Sequence, residues 1–274
     1  MSQHVQRLVV GAVLSAIFIA CIITLPTLTI AGIFALICVL AVYEWSRLIV
    51  VKTNKNRQRL YMVIGVLGTL SLASFSIYYD NRIILYVAAI WWFIALLVGV
   101  FYNARLCSNT VFGWFLSLHI IIALAACSVA IYILHEIAWS LLLYAMILVI
   151  VSDTAAYYIG RSVGKNKLAP TISPGKTKEG FWGALFATLV LSSSTVALLL
   201  EDITLLNMVS WIFLSLIACI AGVVGDLTES MAKRCAGVKD SGNLLPGHGG
   251  LLDRLDAFIA TAPVIALGVI SLRF

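Results

Sequence analysis

The stretch from Gly222 to Asp256, GVVGDLTESMAKRCAGVKDSGNLLPGHGGLLDRLD, decides how the rest of the chain is read. It places five carboxylates, four basic side chains and one histidine between two strongly apolar runs. Ionisable residues beside a bilayer are costly, so a cluster of both signs points to function at a membrane surface. Asp226, Glu229 and Ser230 have i, i+3, i+4 spacing and share a face if the preceding helix continues, with Lys233 one turn further. Past Lys239-Asp240-Ser241-Gly242 the chain must break, because Pro246, Gly247, Gly249 and Gly250 do not sustain a helix. The glycines allow close approach of backbone to a ligand, with His248 between them. Asp253 and Asp256 then open the next helix, again at i, i+3.

The 274 residues are 62% hydrophobic and 11% charged, with a mean hydropathy of +1.06. A soluble domain is about half apolar and a quarter charged, so composition assigns the chain to a membrane. The net charge of +6 would suggest nucleic acid on a soluble protein. Here it acts through orientation and anionic headgroups, and no nucleic-acid partner is expected. The six cysteines are scattered without CxxC or zinc spacing and read as small core residues. His4, His119 and His135 read as surface or packing residues.

Nine apolar runs are long enough to span: 8–25, 28–43, 60–79, 83–102, 111–134, 137–158, 181–200, 205–225 and 255–272. Pro26 separates the first two by a tight turn, and the first reads as a retained helix rather than a signal peptide. The second and ninth are short, and are expected to be tilted or only partly spanning. With the N-terminus inside, 16 of the 18 Lys and Arg residues fall in inside segments, leaving Arg82 and Arg273 outside. The expected architecture is an all-α polytopic bundle of about nine transmembrane helices, with a cytoplasmic N-terminus. It forms one membrane domain over 1–274, with N-terminal helices over 1–110 and a catalytic half over 137–274. Outside loops are barely turns. The inside loop 44–59 is nearly all basic and reads as a topogenic, lipid-facing segment. The inside loops 159–180 and 226–254 mix carboxylates, bases, Gly, Ser and Pro, and carry the function.

In the earlier polar loop, Ile172-Ser173-Pro174-Gly175-Lys176-Thr177-Lys178-Glu179-Gly180 puts two lysines on a Gly/Pro-shaped turn before a helix, a ready phosphate site. Its GKT tripeptide is not a P-loop: Pro170 stands where the first glycine should be, and no strand is expected ahead of it. Asp153, following a long apolar run beside Ser152, is either a functional ligand or a helix-end residue reaching water. Carboxylates from two helix ends, Asp226 and Asp253, suit Mg2+ better than zinc, and Mg2+ takes substrate phosphates as further ligands. The surrounding Lys176, Lys178, Lys233, Arg234, Lys239 and Arg254 suit transfer between two polyanions. Taken singly, Glu229, Asp240 and Arg254 fit interfacial salt bridges equally well.

The blocks Ser230-Met231-Ala232-Lys233-Arg234, Lys239-Asp240-Ser241-Gly242, Leu245-Pro246-Gly247-His248-Gly249-Gly250 and Asp253-Arg254-Leu255-Asp256 resemble the signature of the phosphatidate cytidylyltransferases, or CDP-diacylglycerol synthases. Ser152-Asp153 and 172–180 resemble further family blocks, and Ala232 departs from a larger apolar residue. The resemblance is close over the C-terminal half, and the N-terminal half matches only as membrane helices. It implies CTP and phosphatidate as substrates, Mg2+ with a monovalent cation such as K+, a bacterial inner membrane with the site facing the cytoplasm, and a homodimer. The expected catalytic set is Asp226, Asp253, Lys233, Lys239 and Asp153, with Asp226, Asp253 and Asp256 at metal. Substrate contacts are expected from Lys176, Lys178, Ser230, Arg234, Ser241, His248, Gly249, Gly250 and Arg254. A CTP-dependent polyprenol kinase is the related alternative. A small-molecule transporter fits less well, because the polar clusters lie at one face rather than mid-membrane.

Overall fold

A computed structural model describes residues 19–49, 55–199, 204–244 and 249–272. Eight long helices follow one another: α1 Thr27–Ile49, α2 Lys55–Tyr78, α3 Asn81–Val100, α4 Thr110–Ile137, α5 Trp139–Val163, α6 Lys178–Leu199, α7 Leu205–Ala236 and α8 Leu252–Leu272. All eight are long and apolar enough to cross a membrane. The protein is a multi-pass, nearly all-helical membrane protein. The first expected run, 8–25, lies mostly outside the described residues, although 19–24 is helical up to the break at Leu25-Pro26. The expectation of two short helices is corrected: α1 has 23 residues and α8 has 21. The α1 helix continues through Glu44-Trp45-Ser46-Arg47, and α8 begins before Asp253, because polar side chains at these ends find partners inside the protein.

Helix starts are marked by side chains that accept orphan backbone N–H groups. Asp80 caps α3, Asn109 caps α4 and Thr204 caps α7. Helix α7 is the longest, at 32 residues. About 20 residues suffice for a ~30 Å hydrocarbon core, so roughly the last dozen of α7 extend beyond it. Those residues carry Asp226, Glu229, Ser230 and Lys233. The helix stops at Gly237, which adopts a left-handed φ of +73° while its N–H and that of Val238 close on Arg234 and Lys233 carbonyls. The break therefore falls earlier than the expected one past Lys239.

Helix α4 is the central post, packed against α1, α2, α3, α5 and α8. Its alanines Ala123, Ala125, Ala126 and Ala130 are fully buried, letting neighbouring backbones approach. The remaining contacts of the site depend on two helix pairs, α5 with α6 and α7 with α8. A Cβ at Gly160 or Gly164 would meet Thr177 Oγ1, and one at Gly180 would meet the Ala156 carbonyl. Between α7 and α8, a Cβ at Gly225 would collide with the Asp256 carbonyl and one at Gly222 with Thr261 Oγ1. In a bilayer, where lipid is as apolar as the interface, such close contact supplies the association energy.

Two features were not expected. Lys167–Ala169 (β1) and Ser173–Thr177 (β2) form an antiparallel hairpin joining α5 to α6. A strand, β1, thus precedes GKT after all, but the tripeptide forms the last three residues of β2 rather than a phosphate-wrapping loop. Cys107, in the 3-10 turn Ala104–Ser108, is disulfide-bonded to Cys235 at the end of α7. These two cysteines are not core residues. The described remainder, Cys21, Cys38, Cys127 and Cys219, are free thiols. His135 is also more than filler: its ring nitrogens lie 2.9 Å from Thr27 Oγ1 and 2.8 Å from the Ile22 carbonyl, holding the Pro26 turn against α4.

Replacing Gly225 by valine forces α7 away from α8 and is expected to cost about 1–3 kcal/mol. A clearly lowered midpoint of thermal unfolding in detergent checks this. Gly32→Ala, at a helix position with open space around it, is expected to leave the midpoint unchanged or slightly raised.

Candidate active site

The polar residues gather at one end of the bundle, where the last turns of α1, α5 and α7 meet the first turns of α6 and α8. Alternating helix direction puts these ends on the same side. Along α7, Asp226, Glu229 and Lys233 follow one another on a face turned to α8 and the hairpin. The hairpin delivers Lys176, whose Nζ lies 2.6 Å from Asp226 Oδ2, and Ser230 Oγ donates to Asp226 Oδ1 at 3.3 Å. Thr177 is buried and its Oγ1 accepts from the Gly180 N–H, so the start of α6 and the position of Lys176 are set together.

One turn beyond, Lys233 Nζ donates to Asp253 Oδ1 at 2.7 Å and lies 3.4 Å from Glu229 Oε2. The other Asp253 oxygen accepts from the Ser241 and Gly250 N–H groups at 3.0 and 2.9 Å. Asp253 therefore ties the α7–α8 loop to the helix start and holds Lys233. Both its oxygens are engaged by donors, as both oxygens of Asp226 are.

The residue that sequence reasoning missed is Glu44. It is 1% exposed at the end of α1. Its Oε1 accepts from the Leu251 N–H at 3.0 Å, and Oε2 accepts from the Leu252 N–H at 2.9 Å and Ser241 Oγ at 3.1 Å. A carboxylate here satisfies orphan donors and meets the positive end of α8. The glycines of the motif are explained by it: a Cβ at Gly242 would strike the Glu44 carboxylate, and one at Gly250 would strike Ser241 Oγ and crowd Glu44. Gly249 has φ +85°, a left-handed backbone that favours glycine. Close internal packing accounts for glycine at these positions. A signal was available, since Glu44 is the sole carboxylate among the first 79 residues. The bland reading of 44–59 as a basic loop concealed it.

A cavity of about 640 Å³ opens between α5, α6, α7 and the hairpin. Asp153, Lys176 and Asp226 all line it, so the residue left open between two readings stands beside the Lys176–Asp226 pair. Other expected contacts fall elsewhere. Lys178 and Lys239 are exposed, and neither lines the cavity. Arg234 donates through Nε to the Ile172 carbonyl at 2.9 Å, bracing the hairpin turn. Nearby, burial raises the Tyr102 phenol above its ordinary pKa, and Arg234 pulls it the other way. Arg254 is exposed, and His248 lies outside the described residues.

Among the described residues, no three His, Cys, Asp or Glu side chains converge closely enough to hold a metal ion. The donor chemistry nevertheless fits Mg2+, which often takes only one or two carboxylates and completes its shell with water and substrate phosphates. Glu229 is buried, and neither of its carboxylate oxygens accepts a hydrogen bond. The carboxylates of Glu229 and Asp256 interact, and Asp226 acts electrostatically on Asp256. Adjacent buried carboxylates require a proton or a cation between them. Glu229 and Asp256 therefore form a pair whose charge a proton or a cation would relieve.

Comparison with known proteins follows from this geometry. Residues 5–272 match the model of a family described as the cytidylyltransferase family. The chain belongs to that family. Over 277 aligned residues it is 34% identical to the phosphatidate cytidylyltransferase of Haemophilus influenzae, covering 94% of this chain and 96% of that protein. It is 47% identical over 132 residues to the enzyme of the same name from Staphylococcus aureus, covering 47% of this chain and 49% of the relative. The corresponding Staphylococcus haemolyticus protein is 46% identical over 131 residues, covering 48% and 49%.

Removing the Glu44 carboxylate orphans three donors, each hydrogen bond to a charged group being worth about 1.5–3 kcal/mol. Glu44→Ala is expected to lower the thermal midpoint and to speed proteolytic nicking within 237–250. Glu44→Gln should be nearly as damaging, since its NH2 must face at least one N–H donor. Limited proteolysis followed by mass mapping checks both, and a Gln variant as resistant as the parent contradicts the anchoring role.

Proposed function

We propose that the chain is a phosphatidate cytidylyltransferase, transferring CMP from CTP to phosphatidate to give CDP-diacylglycerol and pyrophosphate. One observation carries the reading: a half-apolar cavity at the end of a membrane bundle has Lys176, Asp226 and Asp153 on its wall, in a chain similar along nearly its whole length to a protein of that name. Soluble nucleotide and membrane-held phosphate can meet only at such a boundary.

In the reaction, an oxygen of the lipid phosphate attacks the α-phosphorus of CTP. The bond from that phosphorus to the oxygen bridging to the β-phosphorus breaks, and pyrophosphate leaves with the electron pair. The attacking phosphate is already an anion, so no protein nucleophile is required. Lys176 on the hairpin and Lys233 on α7 are positioned to offset phosphate charge, and Asp226 and Asp253 orient the two ammonium groups. Asp226 and Asp256 would hold Mg2+, with water and substrate phosphates completing its shell, and the ion when bound neutralises charge on the phosphates. Lys178, Lys239, Arg254 and His248 are assigned to the approach of the polyphosphate.

The distribution of Lys and Arg supports a cytoplasmic site. The bacterial relatives support a place in a bacterial inner membrane. A homodimer completes the proposed assembly.

Purified protein given phosphatidate, CTP and Mg2+ is expected to release pyrophosphate and to retain the cytidine label on lipid. Lipid carrying only the γ-phosphate would assign a kinase instead. Asp226→Asn is expected to lower kcat at least about a hundredfold with membrane insertion intact. Chelation by EDTA should abolish turnover, and excess Mg2+ should restore it. Near-normal turnover in Asp226→Asn contradicts the assigned role.

A further inference from the structure

Helix α5 presents Asp153, Tyr157 and Arg161 at i, i+4 and i+8, a single stripe running from the depth of the cavity to its mouth. The adjacent stripe, Ala156, Gly160 and Gly164, is small and packs against the hairpin and α6. Both stripes line the cavity, and the small one also fixes the neighbouring elements. At the mouth, Arg161 Nη1 donates to Tyr157 Oη at 3.0 Å, which holds the guanidinium in place. Lys167, at the start of β1, lines the same cavity. Among the described residues neither Arg161 nor Lys167 forms an ion pair, whereas Lys176 and Lys233 are committed to carboxylates. Two cations at a cavity mouth without protein counter-charges are suited to an incoming anion.

The opposite wall is apolar. Leu168, Phe181, Ala184 and Val223 line it, and the outer surface of α6 beside it exposes Trp182 and Phe186, as a lipid-facing helix does. Interfacial aromatic residues of this kind mark headgroup depth. A nucleoside triphosphate has no long apolar part to place on such a wall, but a phosphomonoester lipid has both ends that the cavity offers.

We propose that this cavity is the lipid subsite, with Arg161 and Lys167 binding the phosphomonoester of the acceptor lipid and the Leu168, Phe181, Ala184 and Val223 wall taking the start of its acyl chains. The subsite rests on the assigned reaction, and it separates the two substrates in space. The lipid phosphate lies on the α5 side of the Lys176–Asp226 pair, and the triphosphate lies on the side of the α7–α8 loop. Tyr157 is a positioning residue, acting through Arg161.

The experiment uses the full chain in mixed micelles with short-chain phosphatidate. Arg161→Ala and Lys167→Ala are each expected to raise the KM for phosphatidate about tenfold, the scale of one lost charge-assisted hydrogen bond, while leaving the KM for CTP within about twofold. Arg161→Lys should recover part of the loss. Direct binding of phosphatidate without CTP should weaken in parallel, and glycerol 3-phosphate, which has the phosphate but no acyl chains, should compete far more weakly than the lipid. A raised KM for CTP in place of phosphatidate overturns the subsite, as do unchanged values for both substrates or equal competition by glycerol 3-phosphate. Parent protein that binds phosphatidate through Arg161 and Lys167 but turns over no CTP would defeat the assigned reaction while supporting the subsite.

Discussion

The Glu44 carboxylate is the constraint on which the site depends. Burial of an anion is tolerated only when hydrogen bonds replace its water, and here two N–H groups at the start of α8 and the Ser241 hydroxyl do so. Because α1 supplies the acceptor and the α7–α8 loop supplies the donors, the N-terminal half takes part in shaping a site whose other residues come from the C-terminal half. Asp253 repeats the device two residues into α8, with one oxygen on loop amides and the other on Lys233. Together the two carboxylates hold the loop from both sides and fix an ammonium group between two helices.

Helix contact distances then decide whether these groups can reach one another. In a bilayer the apolar surface has little to gain by leaving lipid, so association depends on close packing. Glycines at 160, 164 and 180 bring α5 to the hairpin and α6, and those at 222 and 225 bring α7 to α8. The second contact sets Glu229 beside Asp256. Excess carboxylate in that position disfavours the bundle by itself and favours it with a cation. A cation bound there would stabilise the helix pair.

The apolar wall and charged mouth of the 640 Å³ cavity belong to the same design. A single helix, α5, carries packing residues on one stripe and charged residues on the next. Any movement of α6 would therefore alter both the helix contact and the cavity.

Eight of the nine expected spans, their order and the polar end were legible in the sequence, because a bilayer imposes a length and an apolarity on every spanning segment. Asp226 drew notice by its place at a helix end, and Lys233 and Asp253 by the signature blocks, since charges that adjoin a membrane stand out against an apolar chain. The hairpin was not legible: three- and five-residue strands rich in Lys, Ser, Pro and Gly have no alternating pattern. Nor were the partners, because ion pairs such as Lys176 with Asp226 cross 50 residues and Glu44 reaches Ser241 across 197. Local spacing shows which side chains share a helix face, and by that rule Asp226 and Asp253 looked alike. Tertiary structure alone gave them different partners: Asp253 holds a lysine and two backbone amides, and Asp226 holds a lysine and a serine hydroxyl.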